Sequence, residues 1–173
     1  MDLNSDVLSE LAHHPNIVGV KLTCGNVGKV VRLASEFTER QFAVFGGSSD
    51  YLLPTLTGGG AGCVTGIGNV FPKSVSRLFA LSQAGKTAEA KELQALVAHA
   101  EKACKEGIAA TKHGAASFAG PRTGLTELRA FYPRKPYLPV SKTMEEWVVK
   151  VMQHLEEVED SLPDRVPHVV NGV

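Results

Sequence analysis

The chain has 173 residues, a formal net charge of zero and a hydrophobic fraction of 43%. Balanced charge without a basic stripe argues against a nucleic-acid-binding protein, and no run of about 18 apolar residues is present to span a membrane. The polar, acidic start Met1-Asp2-Leu3-Asn4-Ser5-Asp6 lacks the basic and apolar parts of a signal peptide. Cys24, Cys63 and Cys104 are odd in number and far apart, which points to a reducing, cytoplasmic setting and away from a cysteine metal site.

In chain order, Asp6 to Ala12 reads as the end of a helix broken at His14-Pro15-Asn16. Ile17 to Thr23 is apolar and rich in β-branched residues, the pattern of a buried strand. Asn26 is placed to cap a helix from Val27 to Phe37. Phe42 to Gly46 is a second strand, followed by a short helix near Leu52 to Leu56 that ends at Gly58-Gly59-Gly60. A third strand is expected over Gly62 to Ile67, then a helix over Pro72 to Gln83. Strands and helices alternating at this spacing mean parallel βα units.

The rest is helical by pattern. Lys86 to Thr111 reads as one helix with Ala90, Leu93, Leu96, Val97 and Ala100 on one side. The Gly- and Ser-bearing stretch His113 to Pro121 is expected to interrupt it, and Thr123 to Tyr132 to form a short helix. For the last helix Thr143 is the expected cap, with Glu146 as its capping-box partner. Met144, Trp147, Val148, Val151, Leu155 and Val158 form its apolar face, and the run Glu156-Glu157-Val158-Glu159-Asp160 its wet face. The division expected is 1–83 as parallel α/β, 84–163 as a helical extension and 164–173 as a loose tail. A three-stranded parallel sheet leaves two open edges that usually need cover.

Active groups in parallel α/β folds gather at the carboxyl ends of strands. Three clusters sit there: Lys21-Leu22-Thr23, Gly46-Gly47-Ser48-Ser49 and Thr65-Gly66-Ile67-Gly68-Asn69. Lys21 lies inside an apolar run, where alternation points it into the interior. Desolvation favours its neutral amine, a nucleophile that forms imines with ketones. The other reading is a strand-end lysine that snorkels to water. The glycines either let a ligand approach backbone N–H groups or make ordinary tight turns. Gly66-Ile67-Gly68 lacks the third glycine of a dinucleotide loop and has Phe71 in its place. The six histidines form no metal motif.

Three ordered segments at these strand ends resemble the dihydrodipicolinate synthase and N-acetylneuraminate lyase superfamily, which includes the 4-hydroxy-2-oxoglutarate aldolases. His14-Pro15-Asn16-Ile17-Val18-Gly19-Val20-Lys21 resembles the sixth barrel strand, Phe45 to Asp50 the seventh strand with its glycine turn, and Gly59 to Pro72 the eighth. The helices that follow, including Arg134-Lys135-Pro136, resemble the family's C-terminal helical extension. The resemblance implies an α/β fold, a partial (β/α)8 barrel made of the last three βα units and then helices. It implies a Schiff-base aldolase or lyase acting on pyruvate plus an aldehyde or 2-oxo acid.

By the same resemblance Lys21 is the imine-forming residue and Thr23 a substrate-bonding hydroxyl. Gly47 and the backbone of Val64 border the pyruvate pocket, and Ser49 and Asp50 face the second substrate. No metal or organic cofactor is implied, and dimers, tetramers or association with barrel subunits are. The resemblance begins at the sixth strand, and a closed barrel takes about 250 residues. The chain is therefore expected to be a C-terminal part, incomplete as an enzyme and unstable alone. The family's proton-shuttling tyrosine belongs upstream, and Tyr51, Tyr132 and Tyr137 do not match its place. The alternative is a non-catalytic fragment or pseudo-subunit that binds related barrels.

Overall fold

A computed structural model describes residues 2–164. The tail expected to be loose lies, from 165 on, outside the described residues. The chain divides into two compact units, Met1–Thr65 and Gly66–Val173. The helix over Pro72–Gln83, grouped by sequence with the strands, belongs to the second unit.

The first unit contains α1 (Ser5–Ala12), β1 (Gly19–Leu22), α2 (Val27–Glu36), β2 (Ala43–Gly46), α3 (Leu52–Thr57) and β3 (Gly62–Cys63). Asn4 caps α1 by accepting from the Val7 N–H, and Asn26 caps α2 by accepting from the Lys29 N–H, each at 3.0 Å. Each cap satisfies a backbone donor that has no partner inside its helix. The strands form one parallel sheet in the order β1-β2-β3, with Lys21 opposite Phe45 and Gly46 opposite Cys63.

Alternation along the strands separates the two faces of this sheet. Leu22 and Val44 join Leu8, Val30, Leu33 and Phe42 in a buried core, with Val20 packed against it. Each of the larger members stabilises the unit by about 1.5–3 kcal/mol on burial. Lys21, Ala43 and Phe45 take the opposite face. Gly62 lies on that face too, since a Cβ there would rest 3.6 Å from the Phe45 ring.

The second unit contains α4 (Pro72–Gln83), α5 (Thr87–Lys105), α6 (Ile108–Gly114), α7 (Gly120–Thr123) and α8 (Lys142–Ser161). Its core brings Leu78 and Leu81 of α4, Ala90, Leu93 and Val97 of α5, and Val148, Met152 and Leu155 of α8 out of water. Gly114 permits a close approach there: a Cβ on it would lie 2.7 Å from the Met152 sulfur.

Several expectations are corrected. The third strand is only two residues long, because the chain beyond Thr65 winds into a 3-10 turn over Ile67–Asn69 that buries Ile67. The single helix expected over Lys86 to Thr111 breaks at Gly107, whose φ of 106° is open to glycine and strained for other residues. His113 to Pro121 does not interrupt the helical path. It is carried by α6, a π-type turn over Ala115–Ala119 and α7. Thr123 to Tyr132 is not a helix: Gly124 ends α7 in the left-handed region, and only a 3-10 turn over Leu128–Phe131 follows. Ser141, not Thr143, caps α8, accepting from the Met144 N–H at 3.3 Å. Starting two residues earlier adds a backbone bond from the Glu145 N–H to the Ser141 carbonyl.

Glu159 is the largest departure. Expected on the wet face, it is 2% exposed. Its carboxylate accepts from the Lys73 N–H at 3.0 Å and from the Ser74 N–H and hydroxyl at 2.7 Å. These are first-turn donors of α4. That helix starts with Pro72 and has no side-chain cap of its own, so a carboxylate from α8 does the capping.

Candidate active site at the strand ends

Lys21, Thr23, Gly47, Ser49, Asp50 and Val64 lie in the first unit, at or just past the carboxyl ends of its strands, whereas Gly66 to Asn69 of the third cluster belong to the second. Lys21 is the penultimate residue of β1 and is exposed. The expectation that alternation buries it is not met. β1 is an edge strand, and the face shared by Lys21 and Phe45 is opposite the core formed by Leu8, Leu22, Val30, Leu33, Phe42 and Val44. Thr23, one residue past the strand, is exposed as well.

Gly47 follows β2 and lies directly against Thr23. A Cβ on Gly47 would fall 2.4 Å from Thr23 Cα and 2.6 Å from its Oγ1, so only glycine fits this backbone approach. The Gly47 N–H donates to the Leu22 carbonyl and to the Tyr51 hydroxyl, both at 2.9 Å. The Tyr51 hydroxyl in turn donates to the same Leu22 carbonyl at 2.7 Å. The residues flanking Leu22 are Lys21 and Thr23, so this three-centre clasp fixes the end of β1 against the turn after β2.

A second tie joins β2 to β3. The Val64 N–H donates to the Gly46 carbonyl at 2.8 Å. The Ser49 N–H donates to Thr65 Oγ1 at 3.2 Å, and the two hydroxyls share a bond at 3.1 Å. Ser49 is 0% exposed, Asp50 half-buried beside it, and Val64, the residue after β3, exposed. Thus Lys21, Thr23, Gly47, Val64 and the turn carrying Ser49 and Asp50 form one row across the strand ends. Tyr51 was missed as a site residue. The sequence offered only its spacing from Gly47, and no periodicity marks a hydroxyl that reaches a strand 29 residues earlier.

Cys24 is exposed in the turn after β1. Lys29 is buried, donating to both Asp2 carboxylate oxygens and to the Leu3 carbonyl. The Asp2 hydrogen bond holds its ammonium above the ordinary lysine range. In the second unit, burial and then the nearby Glu101 charge push the Cys104 thiol up to about 12. Among the described residues no cluster of three or more His, Cys, Asp or Glu side chains forms a metal site. None of the described helices is long and apolar enough to cross a membrane.

The parallel sheet with its strand-end row, and the helices after it, define part of a (β/α)8 barrel followed by a helical extension. Residues 1–155 match the Dihydrodipicolinate synthetase family, and the chain belongs to that family, to whose C-terminal part it corresponds. It is 45% identical over 164 residues to a Coccidioides immitis protein provisionally named a mitochondrial 4-hydroxy-2-oxoglutarate aldolase, covering 94% of this chain and 52% of that one. It is 34% identical over 187 residues to the L-threo-3-deoxy-hexylosonate aldolase of Aspergillus niger, covering 95% and 53%. The crystal structure of a dihydrodipicolinate synthase family protein from Coccidioides immitis superposes with a TM-score of 0.87 at 44% identity, covering 94% and 53%. The chain thus spans about half the length of the curated relatives it matches.

Proposed function

We propose that this chain carries the imine-forming part of a class I aldolase or lyase site that acts on pyruvate together with an aldehyde or a second 2-oxo acid. The supporting observation is the position of Lys21, at the carboxyl end of a parallel strand and next to the clasped Thr23–Gly47 approach. The amine of Lys21, when neutral, adds to the pyruvate ketone, and loss of water gives the imine. The protonated imine takes up the electron pair of the neighbouring carbon–carbon bond, so that bond can form or break without a metal or organic cofactor.

In this reading Thr23 offers a hydroxyl to the bound keto acid, while Gly47 and Val64 border it. The Ser49–Asp50 turn borders the second substrate, Ser49 by holding the turn through Thr65 and Asp50 from its half-buried place. In the working site this sheet face is covered by further barrel strands, borne by the same polypeptide or by an associated barrel subunit. That cover removes water from around Lys21 and the keto acid bound to it.

One observation favours a second reading. Lys21 is exposed, and Ala43 and Phe45 on its sheet face are only half-buried, which suits a non-catalytic chain that associates with related barrels. Incubation with pyruvate and borohydride, followed by intact mass and peptide mapping, separates the two. The aldolase reading expects a reduced pyruvyl adduct on Lys21 that is lost in Lys21→Ala. A folded wild-type protein that acquires no adduct would leave the association reading standing.

A further inference from the structure

We propose that Tyr51 is a positioning residue for the Lys21 amine, acting through its clasp on the two strand ends; this rests on Lys21 being the imine-forming residue. The Tyr51 hydroxyl both accepts from the Gly47 N–H at 2.9 Å and donates to the Leu22 carbonyl at 2.7 Å. Leu22 directly follows Lys21 in the chain, so the carbonyl that the phenol holds sits one residue from the amine-bearing Cα. Gly47 is the residue whose missing side chain lets Thr23 come close.

A strand edge alone would let this end fray. β1 is at the edge of the sheet, and the last pair in its register with β2 is Leu22 with Gly46. Past that pair, the Gly47 N–H has the Leu22 carbonyl and the phenol as acceptors. The phenol also packs its ring against Gly46, where an added Cβ would be 3.1 Å from Tyr51 Cε2. Ring and hydroxyl together fix the distance from β1 to the glycine turn. The hydroxyl is engaged by backbone on both sides, so it acts on the geometry of Lys21 and not on the substrate.

The Tyr51→Phe variant keeps the ring and removes both hydroxyl bonds of the clasp, leaving only the Gly47–Leu22 backbone bond. The readout is the rate of borohydride trapping of pyruvate on the full chain as a function of pyruvate concentration. The maximal rate at Lys21 is expected to fall about ten- to a hundredfold, while the half-saturating concentration moves by less than about threefold, because misplaced nucleophiles lose rate more than affinity. Hydrogen exchange at the Gly47 amide should quicken in the same variant. An unchanged trapping rate in Tyr51→Phe, with wild type trapped at Lys21, overturns the role of Tyr51 and leaves the aldolase reading intact. Absence of any adduct in folded wild type overturns both. If Tyr51→Phe fails to fold, ring-fluorinated tyrosine at position 51 preserves the packing and ionises at lower pH. Its phenolate cannot donate to the Leu22 carbonyl, so trapping must acquire a descending limb in that pH range; a profile identical to wild type overturns the proposal.

Discussion

Glu159 illustrates what a single side chain does when another element needs its charge. Three donors at the start of α4 converge on its carboxylate, and hydrogen bonds to a charged acceptor contribute about 1.5–3 kcal/mol each at most, with non-additive sums. Glu159→Ala leaves those donors buried and unpaired. It is expected to lower stability by about 2–4 kcal/mol in urea denaturation. Glu157→Ala, on an exposed neighbour, should stay within about 0.5 kcal/mol of wild type. Sequence pattern could not separate these two glutamates, since the partners of Glu159 lie 85 and 86 residues away.

Cys104 gives a pH signature. Its folded thiol, pushed to about 12 from an ordinary 9.0, keeps a proton that the unfolded chain loses. Stability from this group is complete below about pH 9 and declines as pH rises toward 12. Lys29, raised above its ordinary 10.5 by Asp2, adds a loss of the same sign as pH climbs through its folded value. Denaturation midpoints measured from pH 8 to 11 should fall, and Cys104→Ala should flatten part of that slope. Alkylation at neutral pH should label exposed Cys24 well ahead of Cys104.

At the scale of elements, what is local was legible. Asn26 was identified as a cap because its acceptor and donor are three residues apart. The strands β1 and β2 were legible because apolar, β-branched runs between turn residues admit few other structures. The third strand was overextended because Val64 to Ile67 has the same composition as a strand, while the turn at Ile67 is set by burial of that side chain. The strand-end row was half legible: its residues follow from the strand ends and the family resemblance, but the clasp by Tyr51 does not. Gly47 tests the row directly. Gly47→Ala forces a Cβ into Thr23 backbone and should cost about 1–3 kcal/mol by overpacking, seen as a lower denaturant midpoint at unchanged slope.

At the scale of the molecule, the first unit carries Phe45, half-buried, on the sheet face opposite its core, and Val64, just past β3, is 49% exposed. Apolar surface left in water at a sheet end is surface that another element or a small apolar molecule can cover. The folded chain is expected to bind an apolar dye such as anilinonaphthalene sulfonate, and Val64→Ser to reduce that fluorescence without changing the unfolding midpoint by more than a few degrees.

The seat that Glu159 takes on α4 also sets an order of events during synthesis. Residues 72–74 leave the ribosome long before position 159 exists, so the first turn of α4 spends that interval dependent on water for its donors. Completion of the second unit must then await the emergence of α8, so this bundle locks only once that helix is clear of the ribosome.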